Sequence, residues 1–387
     1  MTFSRILPLV LSVLLSACSI LPNQGPTTQA FEMEENRMPT AVSEGFIVAD
    51  LTPRVVQLLE GRGVQSFGSL GGAYRGAGQY RIGVGDAVSV SIWEANGGGL
   101  FATGAPGTTG SRATGIPAQV VERDGAITIP YAGRVTVAGL MLSEAETKIV
   151  EALQGKAIEP QAIVSVNQNV SNTVTVTGEV VNGRRIPLTQ AGDRILDVIA
   201  AAGGARAPTD ETKVTLTRGG RTLSIAMGKL INDPSENIYA RPGDTITVVR
   251  EIQTFTALGA TGRNTLVDFS TDGITLEKAV AKAGGLINVL SDPRGVFLLR
   301  REHASLARKL DPGFPIKNPN GYVNVVYRAN LRDPNTLFLA QRFDVLEDDI
   351  LYVSGAPSTE LQKFLTLVGL GSGTINDVTA GVARFTP

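Results

Sequence analysis

The side chains that most often carry out chemistry in proteins are scarce in this chain. Its 387 residues include one cysteine, Cys18, and one histidine, His303. A disulfide within the chain and a cysteine–histidine metal cluster are therefore both excluded. His303 lies among charged residues in RREHASLARK, a setting typical of a solvated helix or loop residue rather than a catalytic base. Neighbouring acids at Glu347, Asp348 and Asp349 should diverge on a predicted turn, which does not favour a carboxylate-based hydrolase.

Cys18 instead has the surroundings of a lipid attachment site. Residues 1–17 combine a basic residue, an apolar run over Ile6–Leu15 and two small residues, the form of a secretory signal peptide. The segment LSAC matches the bacterial lipobox, in which the cysteine becomes the acylated first residue; ordinary cleavage beside an incidental cysteine is the alternative. Three acyl chains, at about 0.8 kcal/mol per buried CH₂, would anchor the chain permanently. Ser19, rather than aspartate, predicts sorting to the outer membrane.

A second feature is a glycine–aspartate turn that precedes strands and recurs along the chain. Its first copy lies in RIGVGDAVSVSIWE. The turn residues are Gly83, Gly85, Asp86, Gly243, Asp244 and Asp349. A phosphate-binding loop would open a helix and carry Lys and Ser/Thr, and neither follows here. We interpret these residues as structural: glycine adopts a backbone angle that other residues resist, and aspartate accepts hydrogen bonds from nearby amides.

Composition indicates a turn-rich β protein rather than a helical bundle. Glycine accounts for 44 residues, and charged residues are only 18% of the chain, below the usual quarter. The net charge is −1, with no long run of either sign. A nucleic-acid partner is therefore not expected.

Residues 18–75 show little regular pattern and are rich in Gly, Pro and Ser. The exception is TPRVVQLLEG, which predicts a short helix with Thr52 as its cap, Pro53 at its first position and Gly61 as its stop. We interpret this segment as an arm lying over the body of the protein.

From residue 80 onward the pattern indicates β structure with one longer helix. The alternation in AVSVSIWE predicts a strand with one buried face. We expect a loop over residues 95–118, followed by a hairpin around Asp124–Gly125. LSEAETKIVEALQG predicts a helix with a capping box formed by Ser143 and Glu146, and QAIVSVNQN predicts a returning strand.

The second half of the chain contains an internal repeat. The matched pairs are Gly178 with Gly259, Gly204 with Gly285, VTLTR with VFLLR, Pro234 with Pro334, and Asp244 with Asp349. Each copy reads as a strand, a short helix closed by Gly-Gly, two strands, and an aspartate turn into a final strand. Because so short a helix must pack on a sheet to be stable, we predict a β-grasp-like module that occurs twice.

The C-terminal residues 358–387 carry an amphipathic helical pattern. The candidate lipid-facing residues are Leu361, Phe364, Leu365, Val368, Ile375, Val378 and Val382. The candidate pore-facing residues are Thr359, Lys363, Thr366, Asp377 and Arg384. At 1.5 Å per residue such a helix would be ~40 Å long, enough to cross a ~30 Å hydrocarbon core. A surface or interfacial helix is the alternative, and glycines within Gly369–Gly373 favour a kink or break.

Taken in order, these motifs resemble the outer-membrane polysaccharide export lipoproteins. The resemblance rests on the lipobox, YRIGVGDAVSVSIWE, RDGAITIPYAGRVTVAG, SEAETKIVEAL and the repeat ends YARPGDTITV and LEDDILYV, and it covers essentially the whole chain. It implies an α+β multidomain fold. The expected parts are a signal peptide (1–17), a lipidated arm (18–75), a polysaccharide export domain (76–170), two SLBB β-grasp domains (172–250 and 253–355) and a C-terminal transmembrane helix (358–387).

The same resemblance implies a function without catalysis, cofactor or metal. Family members form a homo-oligomeric ring, octameric in the capsule channel, whose C-terminal helices make an α-helical barrel through the outer membrane. The transported molecule would be a capsular or extracellular polysaccharide. The expected partner is an inner-membrane copolymerase, often a tyrosine autokinase. The alternative is a periplasmic sugar-binding or scaffold lipoprotein that forms no pore.

Overall fold

The computed structural model describes residues 45–60, 65–70, 78–94, 112–288, 290–316 and 320–356, and the single positions Pro26, Thr28, Phe31, Arg62 and Leu100. The chain divides into two compact units. One unit comprises residues 65–251, and the other combines the described residues up to 64 with those from 252 onward.

The helices and strands alternate along the chain. The strands are β1 (Ile47–Asp50), β2 (Ala87–Glu94), β3 (Arg112–Val120), β4 (Ala126–Ile129), β5 (Gly133–Thr136), β6 (Gln161–Gln168), β7 (Thr173–Gly178), β8 (Arg184–Pro187), β9 (Thr212–Arg218), β10 (Arg221–Ala226), β11 (Thr245–Arg250), β12 (Gln253–Gly259), β13 (Thr265–Phe269), β14 (Ile274–Thr275), β15 (Ser291–His303), β16 (Tyr322–Ala329), β17 (Asp344–Val345) and β18 (Ile350–Gly355). The helices are α1 (Pro53–Glu60), α2 (Leu142–Leu153), α3 (Ile195–Ala201), α4 (Met227–Asn232), α5 (Leu276–Lys282), α6 (Ala304–Leu310) and α7 (Pro334–Ala340).

The unit of residues 65–251 contains a small sheet in the order β3-β2-β6, with β4 and β5 paired separately. The predicted alternation of β2 is confirmed, because Val88, Val90 and Ile92 are buried and pack in one core with Ile149 and Leu153 of α2. The amphipathic spacing of α2 therefore covers one face of this sheet.

The rest of this unit is the first β-grasp-like module, with strand order β10-β9-β11-β7-β8. Strands β11 and β7 run parallel, and the other neighbours are antiparallel. Helix α3 packs on this sheet through Ile195, Val198 and Ile199. Residues 65–70, which precede the small sheet in the chain, also pack on this module, and Phe67 is fully buried in its core.

The second module repeats that strand order as β16-β15-β18-β12-β13, with β1 added beside β16. The predicted duplication is thus confirmed in topology. The matched glycines explain why both copies keep it: a Cβ on Gly178 would lie 2.0 Å from the Val248 carbonyl oxygen, and one on Gly259 would lie 2.1 Å from that of Val353. Both glycines also have φ near +90°, which L side chains resist.

The arm predicted over residues 18–75 is more regular than the sequence indicated. Helix α1 is confirmed over Pro53–Glu60, but strand β1 was not predicted. It pairs in parallel with β16 and buries Ile47 and Ala49 in the second module's core. The described parts of the arm are therefore components of the two modules.

Two predictions about the first sheet are wrong. Residues 112–118, expected in a loop, belong to β3, because pairing along β2 outweighs their low strand propensity; Pro117 lies where the register shifts, so no ladder donor is missing. The turn at Asp124–Gly125 exists, but it does not form a hairpin. Its flanking strands pair elsewhere, β3 with β2 and β4 with β5.

Two local details also differ from expectation. The N-cap of helix α2 is Met141, two residues before the expected Ser143, so Glu144, not Glu146, returns to the N-cap and accepts from the Met141 amide at 2.8 Å. Glu146 accepts from the Val164 amide instead. The aligned prolines are not equivalent either: Pro234 follows α4, whereas Pro334 begins α7.

Candidate functional site

The first aspartate turn fixes the chain that leads into the first module. The Asp86 carboxylate is fully buried and accepts from the Gly83 amide at 2.8 Å, which closes the turn. It also accepts from the amides of Val170 and Ser171 and from the Ser171 hydroxyl, each at 2.8 Å. Because Val170 and Ser171 lie between β6 and β7, Asp86 joins the β3-β2-β6 sheet to the first β-grasp-like module.

The two glycines of this turn serve different purposes. Gly85 has φ of 92°, a left-handed conformation that favours glycine. At Gly83 the constraint is space: a Cβ there would lie 2.2 Å from the Ser171 Cβ. The expected need for a left-handed backbone conformation therefore applies to Gly85. Gly83 is glycine because Ser171, between β6 and β7, lies too close for a Cβ.

The turn of the first module adds a buried cation. Asp244 accepts from the Arg241 amide at 2.8 Å, three residues back as in the first turn. Arg218, at the end of β9, donates Nε to one Asp244 oxygen at 2.9 Å and Nη2 to the other at 2.6 Å. Such a two-pronged bond between guanidinium and carboxylate is both strong and directional. Gly243 has φ of 84°.

The second module repeats this arrangement at the matched positions. Asp349 accepts from the Leu346 amide at 2.7 Å, and Arg300, at the place of Arg218, donates Nε to Asp349 at 2.8 Å and Nη2 to the other oxygen. Asp348 occupies the position of Gly243 and has φ of 64°. Aspartate tolerates this left-handed conformation better than most residues do. Burial raises the pKa of Asp349 above its ordinary value, although Arg300 opposes the shift.

A larger polar network surrounds Arg300 than surrounds Arg218. Glu302 lies 3.6 Å from Arg300 Nη1 and accepts from the Tyr327 hydroxyl at 2.7 Å. It also forms an ion pair with Arg62, which follows α1. Burial, reinforced by the Glu302 charge, raises the pKa of Tyr327, so this hydroxyl stays protonated and donates to Glu302. The network attaches the N-terminal segment to the second module.

The hydrogen bonds and ion pairs of these buried groups indicate that they stabilise the fold and do not form a reactive centre. Both carboxylate oxygens of each aspartate accept at least one hydrogen bond from the protein itself. His303 is exposed, and its Nδ1 accepts from the Ser305 amide at the start of α6. Within the described residues, no group of three or more His, Cys, Asp or Glu side chains could hold a metal ion.

Several predicted site residues lie outside the described residues. They are Cys18 and all the candidate lipid-facing and pore-facing positions of residues 358–387. In the part of the chain that is described, no helix combines the length and apolar character needed to cross a bilayer.

The sequence did not reveal the partners of the aspartates. Arg218 and Arg300 end the matched segments VTLTR and VFLLR, so a basic residue at one place in both repeats was the available signal. Ser171 and Arg62 carried no comparable signal, because their partners lie 85 and 240 residues away in the chain.

Two family models match adjacent parts of this chain. A model of the family described as "Polysaccharide biosynthesis/export protein" matches residues 75–167. A model of the SLBB domain matches residues 172–248, which correspond to the first module.

Full-length relatives extend the match over nearly the whole chain. The capsule polysaccharide export protein BexD of Haemophilus influenzae is 40% identical, with 93% of each chain covered. The capsule polysaccharide export outer membrane protein CtrA of Neisseria meningitidis serogroup B is 35% identical over 95% of each chain. The Vi polysaccharide export protein VexA/TviF of Salmonella typhi is 28% identical over 72% of this chain and 75% of its own. The chain therefore belongs to the outer-membrane polysaccharide export family, a family of export proteins and not of enzymes.

Proposed function

We propose that this protein is a lipid-anchored outer-membrane channel that exports a capsular or extracellular polysaccharide as a homo-oligomeric ring. The observation that carries the export role is the 40% and 35% identity to capsule polysaccharide export proteins over 93% and 95% of the chain. The relatives' names support the polysaccharide as cargo and the outer membrane as location. An octamer and an inner-membrane copolymerase partner are proposed by analogy with the family.

Lipid attachment at Cys18 supports the proposed location. The segment LSAC followed by Ser19 would produce a chain with three acyl groups, and two acyl groups already suffice for stable anchoring. Metabolic labelling with palmitate should mark the wild-type protein and leave Cys18→Ser unlabelled. A labelled Cys18→Ser variant would contradict this attachment site.

The C-terminal pattern supports the proposed pore. A single helix with Lys363 and Asp377 facing lipid would be disfavoured by about 2.5–3.5 kcal/mol for each charge near the bilayer centre. In a ring of such helices the polar faces can line water while the apolar stripe contacts lipid. The buried hydrogen bonds and ion pairs of the aspartate turns suit this role, because a passive conduit needs rigid modules and no reactive group.

Charge placed on either face of the proposed helix tests the pore. The double variant Val368→Asp/Ile375→Asp introduces acids on the lipid-facing stripe, and Thr366→Asp is the matched control on the polar face. We expect the double variant to abolish surface polysaccharide while the periplasmic modules remain folded and the protein is present at normal abundance. Thr366→Asp should retain export.

Normal surface polysaccharide in the double variant would contradict the pore and favour a scaffold that forms no channel. Unchanged surface polysaccharide after deletion of the gene would contradict the export role itself.

A further inference from the structure

The outer face of the first module's sheet is a grid of hydroxyl groups. Alternate residues of four neighbouring strands point away from the core, while the residues between them, such as Val174, Leu216 and Ile246, are buried. The register forms two rows of four: Thr222, Thr217, Thr245 and Thr175 in one, and Ser224, Thr215, Thr247 and Thr177 in the other. We call these eight residues the hydroxyl face.

The hydroxyl face is accessible and internally ordered. None of its eight side chains is buried among the described residues, and Thr177 and Thr222 are exposed. Neighbouring hydroxyls meet across β9 and β10, with Oγ1 of Thr217 3.0 Å from that of Thr222. Thr215 Oγ1 lies 3.1 Å from Ser224 Oγ. The hydroxyls of β9 and β10 are therefore paired, and the strand register continues both rows onto β11 and β7.

The second module shows what this face becomes when protein covers it. The positions matched to Thr215, Thr217, Thr245, Thr247, Thr177 and Thr222 hold Phe297, Leu299, Ile350, Tyr352, Leu258 and Val326. Phe31 stacks on Phe297 with ring centroids 4.1 Å apart and lies 5.9 Å from Tyr352. The two remaining positions, matched to Thr175 and Ser224, hold Thr256 and Arg328. Six of the eight positions are thus apolar in the copy that contacts Phe31, whereas all eight are hydroxyl residues in the first module.

A protein partner is poorly matched to the hydroxyl face. The buried centres of protein interfaces are apolar and rich in aromatic residues, and burial of hydroxyls without partners is unfavourable. A sugar chain matches it better, because each hydroxyl offers one donor and two acceptors. These groups recur at about 4.8 Å across strands and at about 6.7 Å along them, the scale of a sugar ring. Arg185, exposed at the end of the Thr175 row, would add attraction for acidic groups.

We propose that the hydroxyl face is a contact surface for the exported polysaccharide, an assignment that rests on the proposed export function. Each hydroxyl contact is a single hydrogen bond with a small net contribution to binding. Such contacts can break and re-form one at a time, so a chain held this way can slide. The first module then contacts the polymer, while the matched face of the second module receives the N-terminal segment.

Photo-crosslinking in the producing cell tests this surface. A benzophenone amino acid replaces Thr245, at the centre of the face, in the full-length protein expressed in a strain that lacks its own copy. The matched control replaces Asn232, which is exposed at the end of α4 in the same module. We expect irradiation to give a high-mass adduct that stains for glycan from the Thr245 position and none from Asn232.

A Thr245 adduct that contains only protein, or no glycan adduct from a variant that still exports, would overturn the proposal and leave the export function standing. If deletion of the gene leaves surface polysaccharide unchanged, the proposed function itself fails.

Removal of hydroxyls gives an independent measure. Thr217→Val/Thr245→Val keeps branched side chains of similar size, so the fold should hold and the melting temperature should not fall. We expect about tenfold weaker retention of the full-length protein on immobilised polysaccharide purified from the producing strain, from two lost hydrogen bonds. The control Thr265→Val, in the second module, should bind as the wild type does. Equal retention of the double variant and the wild type would overturn the proposal.

Discussion

Arg300→Met tests whether the buried ion pair holds the second module together. The side chains of Arg300 and Asp349 are only 5% and 1% exposed. Methionine keeps an apolar chain of similar reach but removes the charge and every donor. Arg218→Met is the matched control, since it removes the corresponding cation from the first module.

The expected magnitude follows from what each arginine leaves behind. Loss of one partner of a buried ion pair destabilises a protein by about 3–5 kcal/mol, because the remaining charge stays buried. Both arginines also donate to one backbone carbonyl at 2.8 Å, so that bond does not separate them. Arg300 should lie at the upper end, since it is the more buried of the two and also neighbours Glu302. Arg218 is 10% exposed and faces one acid, so the lower end is expected there.

Hydrogen exchange followed by mass spectrometry measures each module separately in the intact chain. At about 1.36 kcal/mol per tenfold change, Arg300→Met should accelerate exchange of β15 amides by roughly 100- to several thousand-fold. The β9 amides of the first module should be little changed. Arg218→Met should show the reverse pattern.

Less than tenfold acceleration in β15, or equal acceleration in both modules, would refute this reasoning. The double variant Arg300→Met/Asp349→Leu gives a second check. It leaves neither charge of the pair behind, so it should be more protected than Arg300→Met alone.

Three other substitutions test separate parts of the fold. Gly178→Ala should destabilise the first module by more than the ~1–2 kcal/mol expected from its positive φ alone, because the new Cβ would meet the Val248 carbonyl; a smaller loss in exchange protection of β7 would contradict this contact. Asp86→Ala should expose the segment between β6 and β7 to limited proteolysis, whereas retained resistance there would show that other contacts hold it. Partial desolvation raises the pKa of Asp344, although this residue is exposed by surface area, so the effect on stability is small. Its stabilising contribution is complete below the ordinary value of about 3.9 and is lost as pH rises through the higher folded-state value. Asp344→Asn should therefore reduce the fall in second-module stability as pH rises above about 4 in denaturant titrations, and an unchanged slope would count against it.

Patterns that depend on near neighbours were predictable from the sequence. The alternation in AVSVSIWE identified β2, and Pro53 with Gly61 bounded α1, because strand periodicity and helix ends are local properties. The repeated glycines revealed the duplicated module for a different reason. At Gly178 and Gly259 the backbone of a parallel neighbour leaves no room for a Cβ, so both copies show the same residue.

Features that depend on distant chain segments were not predictable. Residues 112–118 look like a loop by composition, and only pairing with β2 makes them a strand. Strand β1 has four residues and no signal until β16 is beside it. The aspartate turns were visible, but their partners Ser171, Arg218 and Arg300 became evident only when the fold brought them together.

The proposed ring is tested most directly by electron microscopy of the full-length, acylated protein extracted in detergent. The account predicts closed rings of identical subunits with a central passage that continues through a narrower C-terminal barrel. Single, unassociated particles, with residues 358–387 open to protease on intact envelopes, would contradict it.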